Sequence, residues 1–184
     1  MLDEATQFLR AGEVVVIPTD TIYGFAANAL GREKIYLLKQ RPKSNPLVLF
    51  VDSVTALEPF IKEIPPGGKE LMEAHWPGPL TLVLPAKDEP TLAIRIRDHP
   101  LVLELLKKTG PLFVTSVNIS GTPPLKTATE IESVFGEDFP ILDGTVPEKG
   151  EPSTILSYKE GFWEIDRIGA LTKCAVPIKM KKST

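Results

Sequence analysis

KQRPKSNPLVLFV, residues 39–51, leaves one regular element and enters another. Upstream, Ile35, Tyr36 and Leu38 are apolar at helical spacing, so a helix is expected over Arg32 to Gln40. Downstream, Pro46 to Val51 is a short unbroken apolar run of the kind that reads as a strand buried on both faces. Pro42 and Pro46 stiffen the connection, and the Arg41-Pro42 step turns Arg41 away from α geometry. Helix, rigid loop and buried strand in that order make a unit of an α/β sheet. The same unit precedes it: Leu2, Ala5, Phe8 and Leu9 have helical spacing, Gly12 stops the helix, and Val14 to Ile17 is a buried strand.

Further along, helices are expected at Gly68 to His75, Pro100 to Lys108 and Thr127 to Phe135. Strands are expected at Leu80 to Leu84, Leu92 to Ile96, Leu112 to Thr115 and Pro140 to Leu142, with a terminal pair at Ser153 to Leu156 and Phe162 to Ile165. The predicted class is α/β: a single-domain, twisted open mixed sheet with flanking helices over residues 1–178, followed by a basic, frayed tail at 179–184.

The chain has 184 residues, enough for one sizeable core. No apolar run approaches the roughly 20 residues that cross a bilayer. The N-terminus has acidic residues in its first helical turn, unlike a secretion signal. One cysteine, Cys174, allows no internal disulfide, and two histidines, His75 and His99, make no metal-ligand cluster. A cytoplasmic protein with no membrane partner is expected. A net charge of −3 argues against holding nucleic acid by broad phosphate neutralisation, although a local basic site is compatible with it.

Three polar stretches follow strand-like runs, where ligands collect in open α/β sheets. In KQRPKSNP, Lys39 and Arg41 combine a point charge with a planar fork, a pairing suited to a polyphosphate. The alternative is that they only balance the negative end of the preceding helix dipole. In TSVNISG, Thr115, Ser116, Asn118 and Ser120 present four short polar groups that either bind a ligand or satisfy their own turn. PTDTIYG at 18–24 is the third.

Seven segments in order, PTDTIYGF (18–25), KQRPKSNPL (39–47), HWPGPLTLVL (75–84), AIRIRDHP (93–100), TSVNISG (115–121), EPSTIL (151–156) and RIGA (167–170), make the chain similar to the YrdC-like family of threonylcarbamoyl-AMP synthases along nearly its whole length. The resemblance implies a positively lined cavity. It also implies synthesis of L-threonylcarbamoyladenylate from L-threonine, bicarbonate and ATP with release of pyrophosphate, the product passing to tRNA-modifying enzymes. It places Lys39, Arg41 and Asn45 on the ATP phosphates, Asn118 and Arg167 on the nucleotide, and Ser116 on the substrate. Thr19, Thr21, Tyr23 and Ser153 shape the threonine end, and Arg95 pairs with the threonine carboxylate. Lys39, Arg41, Ser116 and Asn118 form the implied catalytic group. Mg2+ is expected to arrive on the triphosphate and be held through it. Phe50 stands where many members carry histidine, Val117 where a smaller residue is usual, Pro152 where an acidic one often is, and Ile168 where proline is common. The chain reads as the short form, without a further C-terminal domain. Two other readings remain: an RNA-binding module using the same basic cavity, with weak RNA contact, and a carbamoyl-transfer domain of the hydrogenase-maturation kind. Asp20 is read either as a turn residue or as orienting Lys39, and Trp76 as a buried indole at a proline turn.

Overall fold

The computed structural model describes residues 1–137, 139–142, 144, 146–147, 150–171, 174 and 177–179. The amphipathic N-terminal stretch forms α1 (Leu2–Arg10), and Gly12, at φ 77°, turns the chain into β1 (Val15–Ile17). There follow β2 (Gly24–Ala27), α2 (Arg32–Leu38), β3 (Val48–Phe50), α3 (Gly68–His75), β4 (Leu80–Pro85), β5 (Thr91–Arg95) and α4 (Pro100–Thr109). The chain continues through β6 (Leu112–Ser116), α5 (Ala128–Phe135), β7 (Thr154–Lys159), β8 (Phe162–Arg167) and β9 (Ile178–Lys179). Among the described residues the strands form one sheet in the order β1-β2-β6-β3-β5-β4-β7-β8-β9. The pairs β3/β5, β4/β7 and β8/β9 are parallel and the others antiparallel, so the sheet is mixed, as the sequence predicts.

Three differences from the sequence reading have local causes. GFAA, which becomes β2, lacks the β-branched or aromatic density of a recognisable strand and is one because β1 and β6 pair with it on both sides. Pro140 to Leu142 makes a single parallel bridge, Ile141 to Val16, and not a ladder. The expected frayed tail begins too early, because Ile178–Lys179 pairs with Trp163 and Glu164; residues 180–184 lie outside the described residues. At α5 the local signal is strong: Thr127 accepts from the Glu130 amide while the Glu130 carboxylate accepts from the Thr127 amide, a reciprocal cap.

Side-chain alternation along the strands divides the interior between the two sheet faces. Leu49, Leu82, Ile94, Phe113 and Leu156 join α2, α3 and α5 in one core. Val15, Ile17, Ala26, Phe50, Leu112 and Val114 pack under α1 and α4 in the other. Each fully buried large apolar side chain in these cores contributes about 1.5–3 kcal/mol. The α1/α4 pair packs on the β1-β2-β6 side of its face, and the cavity lies on the same face over β6, β3, β5, β4 and β7. No helix among the described residues is long and apolar enough to cross a membrane.

Candidate active site

The cavity measures about 400 Å³. Its floor is Val48, Val83, Ala93, Val114 and Ile155, the residues alternating with those of the first core. Register sets them side by side, Val48 opposite both Ala93 and Val114, and Ala93 opposite Val83. Small and β-branched side chains make a low floor, and polar loops rise round it. A larger hollow, about 480 Å³, lies beside Phe8, Leu37 and Phe139; Lys34, the one cation among its described lining residues, is already paired with Glu13 at 2.7 Å.

The loop at 39–46 forms one wall. The helix ends at Leu38 and not at Gln40, because Gln40 adopts the left-handed conformation, φ 49°. The Gln40 amide donates to the Leu37 carbonyl and the Arg41 amide to the Tyr36 carbonyl, the paired bonds of a Schellman turn. This reversal separates the two cations. Lys39, 1% exposed, turns inward and donates from Nζ to the carbonyls of Ser116 (2.5 Å) and Asn118 (2.8 Å) and to Asn118 Oδ1 (2.6 Å). Its own carbonyl accepts from the Ser120 amide. Arg41 faces the cavity, its plane set by Nε on the Asn45 carbonyl (2.9 Å) and Nη2 on the Pro46 carbonyl (3.1 Å). Burial first, then the field of Arg41, pulls Lys39 down to about 7, so it titrates near neutrality.

Lys39 and Asn118 thus brace the 116–121 loop from behind. Asn118 Oδ1 also accepts from Ser116 Oγ at 2.6 Å, while its Nδ2 donates to the Ile119 and Thr122 carbonyls. Ser116 itself lines the cavity. A ligand there meets a loop whose polar groups are already oriented.

Beside this loop, where the Tyr23 carbonyl accepts from the Val117 amide, Thr19 Oγ1 accepts from the Thr21 and Ile22 amides, holding PTDT in a tight turn. Asp20 does not touch Lys39, which corrects one reading of it. Its carboxylate takes Arg95 Nη2 at 2.5 Å and Arg97 Nη1 at 2.8 Å, and Arg97 Nη1 also donates to Thr21 Oγ1 at 2.6 Å. Arg95 is 1% exposed and spends Nε on the Gly78 carbonyl. Burial lowers both guanidinium pKa values, with the field of Arg97 adding to the fall at Arg95 and that of Arg167 at both, and Asp20 opposes it. Burial alone would raise Asp20, but the fields of Arg97 and Arg95 outweigh it and hold the carboxyl below its usual 3.8. Gly150 lies against this turn so closely that a Cβ would collide with the Thr21 carbonyl, which excludes any side chain there.

The C-terminal pair β7/β8 closes the third side. Arg167 Nε and Nη2 grip the Ser153 carbonyl at 3.0 and 2.9 Å, and Ser153 Oγ lies 2.8 Å from Thr81 Oγ1. Burial and then the charge of Arg41 lower the Arg167 pKa. Of the residues expected at the site, Arg41, Asn45, Ser116, Thr21, Tyr23, Ser153 and Arg167 line the cavity. Lys39, Asn118, Thr19 and Arg95 lie in the layer behind. The sequence reading omitted Arg97 and Thr81, both in the wall. The alternation of Arg95 with Arg97 along AIRIR was the available signal, since both side chains leave the strand on the face of Ala93. Trp76 is buried, as expected, donating from Nε1 to the Leu80 carbonyl at 2.7 Å.

Three guanidiniums, Arg41, Arg97 and Arg167, therefore face a space whose lining includes one carboxylate, Asp166, already paired with Lys159 at 2.9 Å. Such a space selects an anion. The Sua5/YciO/YrdC family model, described as telomere recombination, matches residues 7–169. The chain belongs to the Sua5/YciO/YrdC family. Its relatives include the threonylcarbamoyl-AMP synthase of Bacillus subtilis, 38% identical over 92% of this chain and 54% of that protein. That of Klebsiella pneumoniae is 34% identical over 82% of this chain and 87% of that one. Pyrococcus abyssi Sua5, solved in complex with L-threonine, superposes with a TM-score of 0.85 at 35% identity, over 91% of this chain and 54% of that one. This family member spans about half the length of the B. subtilis and P. abyssi proteins and most of the K. pneumoniae one.

Proposed function

We propose that this chain makes L-threonylcarbamoyladenylate from L-threonine, bicarbonate and ATP, releasing pyrophosphate, and that enzymes modifying tRNA consume the product. The observation that carries this reading is the ring of Arg41, Arg97 and Arg167 over an apolar floor, walled by the braced Ser116 loop and, beside it, the Thr19–Tyr23 turn. Relatives named threonylcarbamoyl-AMP synthase and a threonine-bound neighbour support it.

The chemistry suits such a site. The threonine amine attacks the carbon of bicarbonate, and loss of water leaves a carbamate. A carbamate oxygen then attacks the α-phosphorus in line, the bond to the bridging oxygen breaks, and pyrophosphate leaves with the electron pair. No enzyme nucleophile is needed, so catalysis rests on positioning and on charge placed where the phosphates gain it. Arg41, tethered at Asn45 and Pro46, is aimed before the ligand arrives and therefore loses little entropy on binding. No group of three or more His, Cys, Asp or Glu side chains among the described residues would cage a metal, so Mg2+ would enter on the triphosphate and be held by phosphate oxygens and water.

The test is purified protein with ATP, bicarbonate and L-threonine, following pyrophosphate and the adenylate. A folded protein that yields neither with all three present overturns the reading. Tight RNA binding with a steep salt slope and no ATP binding would favour the RNA module, and use of carbamoyl phosphate in place of bicarbonate and threonine the carbamoyl-transfer domain.

Proton linkage gives a second measurement. With its pKa at about 7, Lys39 is charged below that pH and neutral above it in the free protein. A polyphosphate beyond the Ser116 loop favours the ammonium, so binding raises this pKa and draws in a proton. ATP affinity should accordingly fall as pH rises above about 7, by at most about tenfold per unit, and calorimetry in buffers of different ionisation enthalpy should register proton uptake. Lys39→Arg, which does not titrate there, should flatten the profile; an unchanged profile would show that Lys39 does not sense the anion.

A further inference from the structure

We propose that this chain forms a reversible two-fold dimer through the hollow between α1 and α2, each copy setting Leu37 against the hollow of the other while the Glu13–Lys34 pairs exchange partners across the axis. This contact is independent of the reaction given above.

The sequence lays down a stripe that the fold leaves uncovered. Leu30, Lys34 and Leu37 recur at i, i+4 and i+7, one line along α2 and the turn before it. The other side of the helix is spent on the core through Ile35 and Tyr36, whereas Leu30 and Leu37 are each 77% exposed. One exposed leucine is ordinary. Two on a line beside an apolar hollow mark a contact surface. The hollow, about 480 Å³, takes its apolar lining from Phe8 of α1, Leu37 and Leu38 of α2, and Phe139 and Pro140. A Cβ at Gly12 would lie 3.0 Å from that of Leu30, so the end of α1 sits directly against the start of α2 and the patch runs across both.

β1 is the edge of the sheet, but its outer side is already used: the Val16 amide donates to the Pro140 carbonyl, and the Val16 carbonyl accepts from the Leu142 amide. A partner therefore meets side chains here and does not extend the sheet. Protruding leucines and a hollow on one patch are self-complementary about a two-fold axis. The charges are too. Glu13 and Lys34 line the hollow, half-exposed and paired at 2.7 Å. A partner of one sign would satisfy one of them and oppose the other, whereas a second copy offers a lysine to Glu13 and a glutamate to Lys34. A net charge of −3 sets up little long-range repulsion between copies. With only a few side chains in the patch, the interface belongs to the small class, below roughly 1,200 Å² in total, that associates weakly and reversibly.

Sedimentation velocity of the full chain, from about 1 to 300 μM, reads the association directly. The wild type should move from monomer toward twice that mass with a Kd of about 10–100 μM. Leu37→Asp, at an exposed position, should weaken association by at least about 30-fold. Glu13→Lys and Lys34→Glu should each stay monomeric alone, because a dimer of either gathers four like charges at the axis. Mixed in equal amounts, the two should associate within about threefold of the wild type, since one copy then brings two lysines and the other two glutamates. A side chain that merely stabilised its own fold could not produce that mixing effect. Should a charge reversal fail to fold, Leu37→Asp against the wild type decides alone. A wild type monomeric at every concentration means that solvent or another protein covers this face, and overturns the dimer. A dimer indifferent to Leu37→Asp, or an equimolar mixture of the two folded reversals that remains monomeric, overturns it as well.

Discussion

Asp20→Ala will lower folding stability by about 3–5 kcal/mol, because it leaves two buried guanidiniums with no counter-charge. For a chain of this size that corresponds to a fall in Tm of about 10 °C. The pH dependence follows from the depressed carboxyl. Its stabilising contribution is fully present above the unfolded value of 3.8 and is lost as pH falls through the lower folded value. The gap between wild type and variant should therefore be widest near neutral pH and close in strong acid. Thermal denaturation across that range checks both statements. A Tm difference of less than about 2 °C at neutral pH would mean that solvent, not Asp20, balances Arg95 and Arg97.

Arg41→Ala and Lys39→Ala should each reduce kcat/KM by at least about 30-fold, equivalent to about 2 kcal/mol of transition-state stabilisation. The structure separates the two by mechanism. Arg41 borders the cavity and, among the described residues, its side chain bonds only to its own 45–46 turn, so its removal should leave the backbone intact. Lys39 ties three oxygens of the Ser116–Asn118 segment, so its removal should also loosen that loop. Hydrogen exchange at the amides of 117–122 should rise in the Lys39 variant and stay unchanged in the Arg41 variant. Wild-type turnover in Arg41→Ala would remove Arg41 from the anion site.

The element order was legible wherever pattern and punctuation agreed. The start and end of α3 coincide with the segment from Gly68 to His75, and Gly110 follows the last turn of α4, because both rest on helical spacing and backbone stops that neighbours do not alter. β2 was not legible, since GFAA becomes a strand only through the two strands that flank it. The motif positions were legible as well, but their depth was not. KQR carries no mark that Gln40 takes a left-handed turn, and that turn sends Lys39 inward while Arg41 stays in the wall.

By itself the sequence determined the α/β alternation, the three polar loops and the excess of cations they carry, because spacing, proline and glycine act over a few residues. Only the tertiary structure decided which cations meet the cavity. Asp20 and Arg95 lie 75 residues apart, and their pairing depends on a strand register that no local pattern encodes. A buried charge takes whichever partner the packed sheet brings within reach, and here Asp20 meets both Arg95 and Arg97.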